Sequence, residues 1–373
     1  MKRLGYLVNP WAGIGGRVAL KGSDGSAIVE RALELGAKRL SPKRATEALE
    51  KLVPFIDAIE LITCPGEMGE CEAKDCGFSP TIIGEDLQRR TTADDTRRAA
   101  KEMLRLGVDL ILFAGGDGTA RDIYDAIGTG IPIVGIPTGV KMHSAVFSVS
   151  PAAAGDLAAL YLMGKIIRTA ELEVMDIDED AFRTGVLQAE LHGFLKVPDA
   201  PQFTQGAKGG ATALDDNFYM RGIARRVVQD MEQGTLYIIG SGTTCRAVTE
   251  CLELPKTLLG VDVVLDKKLV ASDVTEKQLL DHINSNPKNA IIIVTPIGGQ
   301  GYIFGRGNQQ LSAEVIRMVG PDKVKIIATP AKIHSVPNQR LRVDTGDPEI
   351  DQALRGPRRI LTGAYDIALL EIV

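Results

Sequence analysis

The sequence predicts an α/β protein of two domains, and three observations lead to that prediction. Apolar runs with strand character alternate with helical segments along the first part of the chain, which is typical of βαβ units and a parallel sheet. The length of 373 residues corresponds to about two domains at roughly 150 residues each. Glycine supplies 40 residues, well above its usual share of about 7%, and many of them stand in short clusters.

The first predicted domain covers residues 1–155. Its predicted strands are residues 3–9, 58–63, 81–84, 108–114 and 131–136, and its predicted helices are residues 25–36, 42–53 and 94–106. The last helix has a capping signal at its start, where Thr92 stands three residues before Asp95. Helices of this length between strands indicate a parallel sheet.

The second predicted domain covers residues 156–373, and a helix over residues 151–164 leads into it. Residues 198–210 are rich in Pro, Gly and Ala and predict a mobile loop, which a helix over residues 216–233 follows. The predicted strands are residues 171–177, 188–197, 236–239, 260–265, 290–294, 324–328 and 365–373. We allow the last of these strands to return to the first domain.

The composition limits the class of protein. Hydrophobic residues make up 45% of the chain and charged residues 24%, as in soluble globular proteins. The net charge of −5 gives no overall basic field for nucleic acid or an anionic membrane, and no apolar run approaches the roughly 18 residues of a membrane span. The spacing of Cys64, Cys71 and Cys76 matches no zinc pattern, so we expect structural thiols. We therefore expect a cytoplasmic protein without nucleic-acid or membrane partners.

Five glycine clusters each follow a predicted strand. They lie at residues 9–16, 115–119, 135–144, 240–244 and 298–310. Ligands of parallel sheets bind outside the carboxyl ends of the strands, where glycines let backbone amides approach a phosphate. The clusters match neither the P-loop pattern nor the full dinucleotide fingerprint. The sequence thus indicates phosphate loops of another kind.

The cluster Gly115-Gly116-Asp117-Gly118-Thr119 carries the sharpest chemical signal. An aspartate between glycines repels phosphate unless a cation or a reacting hydroxyl intervenes. Asp117 could accept a proton from an alcohol or hold Mg²⁺ near a nucleotide. The alternative is that Asp117 is simply the N-cap of the following helix.

These residues resemble the Gly-Gly-Asp-Gly-Thr motif of NAD kinases and the related motifs of diacylglycerol kinases, sphingosine kinases and phosphofructokinases. The opening Asn9-Pro10-x-Ala12-Gly13 is similar to the start of these kinases. The longer strings at residues 116–122, 139–147 and 299–310 resemble the ATP-NAD kinase-like family, in the branch that includes the acetoin catabolism protein X. The resemblance extends from residue 3 to about residue 370.

The resemblance implies a two-domain kinase with an α/β first domain and a β-rich α+β second domain. It implies phosphoryl transfer from ATP (or polyphosphate), with Mg²⁺, to the 2′-OH of NAD, and a homo-oligomer. Asp117 would be the catalytic residue, facing the acceptor hydroxyl or its metal. The residues that would line the phosphates or hold the nucleotide are Asn9, Gly115, Gly116, Gly118 and Thr119.

The remaining candidates lie in the other clusters. Lys141 could neutralise a phosphate and His143 could bond a phosphate or base, with loop packing as the alternative. Arg306 suits a bidentate phosphate contact. The full set of these nucleotide or phosphate candidates is Gly139, Lys141, His143, Gly242, Thr243, Thr244, Arg306 and Asn308.

Two departures from the family leave the acceptor open. NAD kinases carry an Asn-Glu dipeptide, and this chain has none. Their Thr-Gly-Ser-Thr-Ala-Tyr string has its nearest match in residues 241–245, without the tyrosine. Two alternatives therefore remain: a kinase of the same fold that acts on another nucleoside, a cofactor fragment or a small alcohol, and a nucleotide-sensing protein without turnover.

Overall fold

The computed structural model describes residues 1–20, 26–85, 90–138, 142–177, 189–200, 203–204, 213–255, 259–286 and 289–373. The chain divides into two compact units. The first unit comprises Met1–Ile14 and Gly22–Gln205, and the second comprises Gly15–Lys21 and Gly206–Val373. Among the helices of the described residues, none is long and apolar enough to cross a membrane.

The first unit contains a parallel five-stranded sheet. Its strands are β1 (Lys2–Val8), β2 (Ile59–Thr63), β3 (Thr81–Ile82), β4 (Leu110–Gly115) and β5 (Ile133–Pro137). Their order is β3-β2-β1-β4-β5, and all neighbours pair in parallel. The helices are α1 (Ser26–Glu34), α2 (Ser41–Glu50), α3 (Glu70–Asp75), α4 (Ala93–Leu106), α5 (Asp117–Ile127) and α6 (Pro151–Leu162), with short 3-10 helices at Val53–Ala58 and Gly66–Met68.

Apolar side chains on both faces of this sheet explain its two helical layers. Leu4 and Leu112 point to one face and pack with residues of α2 and α6, whereas Phe113 and Ile111 point to the other face and pack with residues of α4 and α5. The predicted start of α4 is confirmed, because Thr92 and Asp95 form a reciprocal capping box.

An antiparallel hairpin completes the first unit. Its strands are β6 (Thr169–Ile177) and β7 (Ala189–Pro198), and their apolar residues join the core beside α5. The predicted boundary at 155/156 and the compact units therefore divide the chain differently, because α6 and this hairpin pack on the first sheet. Most of the loop predicted over residues 198–210 lies outside the described residues.

The second unit contains a mixed nine-stranded sheet. Its strands are β8 (Leu236–Ile239), β9 (Asp262–Leu265), β10 (Lys268–Ala271), β11 (Ala290–Val294), β12 (Tyr302–Phe304), β13 (Val324–Ile327), β14 (Arg340–Val343), β15 (Gly356–Leu361) and β16 (Ile367–Ile372). Their order is β10-β9-β8-β11-β13-β15-β16-β14-β12. Strands β8, β11, β13 and β15 are mutually parallel, and β9 pairs antiparallel with β8. The C-terminal strand β16 pairs with β14 and β15, so it completes this sheet and does not return to the first one.

Helices cover both faces of the second sheet as well. They are α7 (Ala213–Gln229), α8 (Thr243–Cys251), α9 (Glu276–Ser285), α10 (Ala313–Val319), α11 (Pro330–His334) and α12 (Pro348–Leu354), with short 3-10 helices at Pro321–Lys323 and Pro337–Gln339. Residues of α9 and α10 pack on one face with Ile292, and residues of α7 and α8 pack on the other with Ile293. The predicted class, a two-domain α/β fold, is confirmed.

Candidate functional site

In the first unit, the strand order reverses between β1 and β4. The chain passes from β1 to β2 and β3 on one side, and then returns to β4 and β5 on the other. Ligands of open α/β sheets bind in the crevice outside the carboxyl ends of the strands at such a reversal. The two loops that leave this point begin at Asn9 and at Gly116, so the structure places both predicted clusters at the expected ligand position.

Asn9 joins these two loops directly. Its backbone N–H donates to the carbonyl of Ala114 at 2.9 Å, which extends the pairing of β1 with β4. Its side-chain amide donates to Thr119 Oγ1 at 3.0 Å, and its Oδ1 accepts from the backbone N–H of Trp11 at 3.1 Å. Asn9 thus fixes the first loop against the first turn of α5.

The turn from β4 into α5 is tight, and this explains its glycines. A Cβ atom on Gly115 would lie 2.5 Å from Cβ of Thr119, a contact that no side chain tolerates. Gly116 is the N-cap residue in extended conformation, and no side chain caps this end among the described residues. Asp117, Gly118 and Thr119 form the first turn. The backbone amides of that turn and the positive end of the helix dipole suit an anion.

Asp117 faces the segment after β5. Its Oδ2 accepts from the backbone N–H of His143 at 2.8 Å, and its Oδ1 accepts from that of Ser144 at 2.9 Å. Because Gly116 holds the N-cap position, the alternative interpretation of Asp117 as the N-cap is wrong. These two amide bonds fix the orientation of the carboxylate.

The segment after β5 is held in place by its own packing. Phe147 lies edge-on to Phe113 at 5.5 Å between ring centroids, and it fills the space that a side chain on Gly135 would need. Ser144 is buried, and its hydroxyl accepts from the backbone N–H of Met175 at 3.0 Å. His143 meets Asp117 through its backbone amide. The candidates Gly139 and Lys141 lie outside the described residues.

Thr138 is a residue of this site that the sequence analysis did not single out. Its backbone N–H donates to the carbonyl of Gly115 at 3.2 Å. Its side chain is 1% exposed, and its hydroxyl finds no hydrogen-bond partner within the described ranges. The sequence feature that could have identified Thr138 is its position in the third glycine cluster, residues 135–144.

The second unit has an equivalent reversal between β8 and β11. The chain passes from β8 to β9 and β10 on one side and returns to β11 on the other. Gly242, with φ of +110°, turns the chain from β8 into α8, and a Cβ atom there would lie 2.8 Å from Cγ2 of Thr295. Thr243 and Thr244 begin α8, so these three candidates lie at a carboxyl-end loop.

Lys332 is a cationic residue beside this loop that the sequence analysis did not single out. It lies in α11, directly after β13, and its Nζ donates to Thr244 Oγ1 at 3.0 Å and to Thr295 Oγ1 at 3.1 Å. The sequence feature that could have drawn attention to Lys332 is the pair Thr329-Pro330, because it marks a helix start directly after a strand.

Arg306 and Asn308 lie beside the same loop, because Ser241 Oγ donates to the carbonyl of Gly307 at 3.0 Å. Arg306 is only 2% exposed; its guanidinium lies 4.7 Å from the Tyr302 ring centroid and 3.5 Å from a carboxylate oxygen of Asp344. The protein itself therefore holds this guanidinium, and its predicted phosphate contact stays a prediction.

Burial shifts the pKa values of several titratable groups that lie away from the loops. Burial raises the pKa of Cys64 to about 12 and that of Cys76 to about 11, so both thiols stay protonated. Burial likewise raises the pKa of Glu72 to about 7. Within the described ranges there is no group of three or more His, Cys, Asp or Glu residues that could hold a metal ion.

The fold and these loops define a class of protein: a two-unit α/β protein with glycine-rich ligand loops where the strand order of each sheet reverses. Two family models then place the chain. Residues 27–166 match the ATP-NAD kinase N-terminal domain, and residues 234–372 match the ATP-NAD kinase C-terminal domain. Together these matches cover about three quarters of the chain, and the chain belongs to the ATP-NAD kinase family.

Solved structures add a distant similarity. Two structures of a diacylglycerol kinase from Bacillus anthracis str. Sterne match with 18% identity and a TM-score of 0.23. The matches cover 48% of this chain and 46% and 48% of the other chains, so the chain spans about half the length of these structures. Among the curated proteins, no match was found.

Proposed function

We propose that this chain transfers the γ-phosphoryl group of ATP (or of polyphosphate) to the 2′-OH of NAD at the loop around Asp117. One observation carries the proposal: the Asp117 carboxylate lies at the reversal of the first sheet, aligned by two backbone amides, next to an uncapped helix start. An acceptor for the hydroxyl proton and donors for the phosphates thus come from one loop.

Each group then has a chemical task. Asp117 accepts the hydrogen bond of the 2′-OH and takes its proton as the oxygen bonds to the γ-phosphorus. The bond between that phosphorus and the bridging oxygen of ADP breaks, and ADP leaves. The amides of residues 116–119 stabilise charge on the phosphates, and Asn9 positions Thr119 for the same purpose.

Mg²⁺ fits this arrangement as a companion of the donor phosphates. Magnesium is usually bound by one or two carboxylates together with substrate phosphates, and the loop offers the single carboxylate of Asp117. The ion would neutralise charge on the transferred group. Lys141, Gly139 and His143 in the third cluster, and Gly242, Thr243, Thr244, Arg306 and Asn308 in the second unit, remain proposed nucleotide or phosphate contacts.

The same proposal includes the finer family placement. The strings at residues 139–147 and 299–310 support the branch that includes the acetoin catabolism protein X. The resemblance to NAD kinases supports a homo-oligomer with a nucleotide-type substrate, and the composition supports a cytoplasmic protein.

A second candidate function has a specific observation in its favour. The chain lacks the Asn-Glu dipeptide of NAD kinases and the tyrosine after residues 241–245. We therefore keep a kinase that uses Asp117 on another nucleoside, a cofactor fragment or a small alcohol. A nucleotide sensor without turnover is the third possibility, and the aligned carboxylate speaks against it.

An acceptor screen separates these candidates. Purified full-length chain is incubated with ATP, Mg²⁺ and one acceptor at a time, and products are identified by mass. Formation of NADP as the fastest product supports the proposal. Faster phosphorylation of another acceptor selects the second candidate, and nucleotide binding without any product selects the sensor.

A further inference from the structure

Arg44 is a buried cation of the first unit that has no task in the reaction proposed at Asp117. It lies in α2, and only 8% of its surface is exposed. Its guanidinium donates to the carbonyl of Pro137, the last residue of β5, at 3.1 Å. Taking a guanidinium out of water is costly, so we expect the bond that it makes here to matter for the arrangement of the unit.

The carbonyl of Pro137 lies on the outer side of the first sheet, because β5 is the edge strand. On that side a later segment pairs with Gly135, whose N–H donates to the carbonyl of Val146 at 3.1 Å and whose carbonyl accepts from the N–H of Ser148 at 2.9 Å. Backbone groups two residues apart in a strand point to the same side, so the carbonyl of Pro137 continues this row. Arg44 supplies a donor to it from α2.

The helix α2 is packed so that Arg44 has a fixed position. Ala45, Ala48 and Leu49 are buried in the core beside the first sheet. The helix α6 approaches α2 closely, because a Cβ atom on Gly155 would lie 2.0 Å from the carbonyl oxygen of Ala48. The backbone that carries Arg44 therefore has little room to shift.

The segment that follows β5 returns to Asp117. At its start, the N–H of Thr138 donates to the carbonyl of Gly115 at 3.2 Å. Further along, the amides of His143 and Ser144 donate to the carboxylate of Asp117 at 2.8 and 2.9 Å. The contact from α2 thus lies where this segment leaves the sheet, one residue before the bond to the turn that carries Asp117.

We propose that Arg44 is a positioning residue, which fixes the end of β5 and thereby sets the path of the segment whose amides align Asp117. Its effect on phosphoryl transfer is indirect, through the amides of His143 and Ser144. That catalytic consequence rests on the proposed function, whereas the positioning itself can be measured without turnover.

Amide hydrogen exchange of the full-length chain, followed by NMR at Thr138, His143 and Ser144, tests the positioning. In Arg44→Met, which keeps an unbranched side chain without its donors, these amides should exchange about tenfold faster because the segment opens more often. In an NADP assay, kcat should fall about tenfold at nearly unchanged KM, because a misaligned carboxylate slows the transfer step. Arg44→Lys restores a donor and should recover part of both losses.

Arg3→Met is the matched control. The Arg3 guanidinium also donates to a backbone carbonyl, that of Leu106 at 2.9 Å, but Arg3 lies at the amino end of β1 in the same sheet. Its replacement should leave kcat and the exchange of the amides after β5 unchanged.

Two results would overturn the positioning role: unchanged exchange at the three amides in Arg44→Met, or an equal increase throughout β1 and β2, which would indicate a general loss of stability. Faster exchange with unchanged kcat would overturn its consequence for the reaction. Circular dichroism verifies the fold of each variant. If Arg44→Met does not fold, Arg44→Gln takes its place with the same criteria, because its side chain ends before the position of the guanidinium. A wild-type chain that forms no NADP would count against the proposed function alone, since the exchange rates decide the role of Arg44 by themselves.

Discussion

The two units place ligand loops by the same topological rule but equip them with opposite charge. In the first unit, the reversal between β1 and β4 carries Asp117, whose carboxylate is held by two backbone amides. In the second unit, the reversal between β8 and β11 carries Thr244 and Thr295, and Lys332 reaches them from the end of β13. Sheet topology therefore determines where a loop can meet a ligand, and the residue types determine which part of the ligand it meets.

The difference assigns different tasks to the two loops. A carboxylate suits an acceptor hydroxyl and a proton, whereas an ammonium with hydroxyls suits phosphate oxygens. This difference between the two loops can be tested by substitutions in the first unit and in the second unit. A carboxyl that belongs to neither loop serves for comparison.

The largest effect is expected at Asp117. Replacement by Asn keeps the size of the side chain but removes the proton acceptor, so kcat for phosphoryl transfer should fall by about 100-fold to 10,000-fold. Asp125→Asn, an exposed position on the same helix, is the control and should retain normal kcat. Steady-state product formation measures kcat for both variants. Nearly unchanged turnover in Asp117→Asn would contradict the assignment of the proton acceptor to the first loop.

The next effect concerns the backbone of the second loop. Gly242 has φ of +110° and lies against Thr295, so Gly242→Ala should lower the free energy of unfolding by about 2 kcal/mol. Gly234→Ala is the matched control, with φ of +75° but no atom near the added methyl group, and should cost about 1 kcal/mol. Urea unfolding measures the two values, and equal losses would show that the contact with Thr295 does not matter.

A smaller effect is expected at the link between the two first-unit loops. Removing the bond from Asn9 to Thr119 by Asn9→Ala should lower kcat/KM by about fivefold to tenfold, because one hydrogen bond contributes about 1 kcal/mol. Thr119→Val removes the other partner. The double variant should lose less than the product of the two single losses, and full multiplicativity would mean that the bond plays no part in the site.

The smallest effect lies outside both loops, at Glu72. Burial raises the pKa of this carboxyl in the folded protein to about 7, with Glu67 and Asp75 adding repulsion and Arg39 opposing it. Because the pKa of Glu72 is raised in the folded protein, its contribution to the free energy of unfolding is fully present at pH 4, where the carboxyl is protonated. That contribution is lost as the pH rises to about 7, where the buried carboxyl ionises. Glu72→Gln should therefore be more stable than the wild type by about 1 kcal/mol at pH 8 and no more stable at pH 4. Thermal unfolding at the two pH values measures it, and an equal Tm difference at both would contradict the assignment.

Local patterns revealed much of the fold and the glycine clusters of both loops. The run of residues 108–114 predicts a strand because its side chains are apolar except that of Asp109. The cap at Thr92 predicts a helix start because the signal lies within three residues. Asp117 could be identified from the sequence because the whole motif, Gly115–Thr119, is one continuous run of residues.

Other features depend on contacts between distant residues. Asp117 bonds amides 26 and 27 residues away, and Lys332 reaches Thr244 across 88 residues and Thr295 across 37. No local pattern encodes such distances, so the sequence analysis did not reveal the lysine of the second loop. The short strands β12 and β14 were missed for the same reason, since their pairing defines them more than their composition does.

The most direct measurement of the central claim is a crystal structure of the full-length chain with NAD and a non-hydrolysable ATP analogue. We expect the 2′-OH of NAD within about 3 Å of a carboxylate oxygen of Asp117, with the γ-phosphate at the amides of residues 116–119. A complex in which NAD and the nucleotide both bind without contact to Asp117 would contradict the assignment of the reaction to this loop.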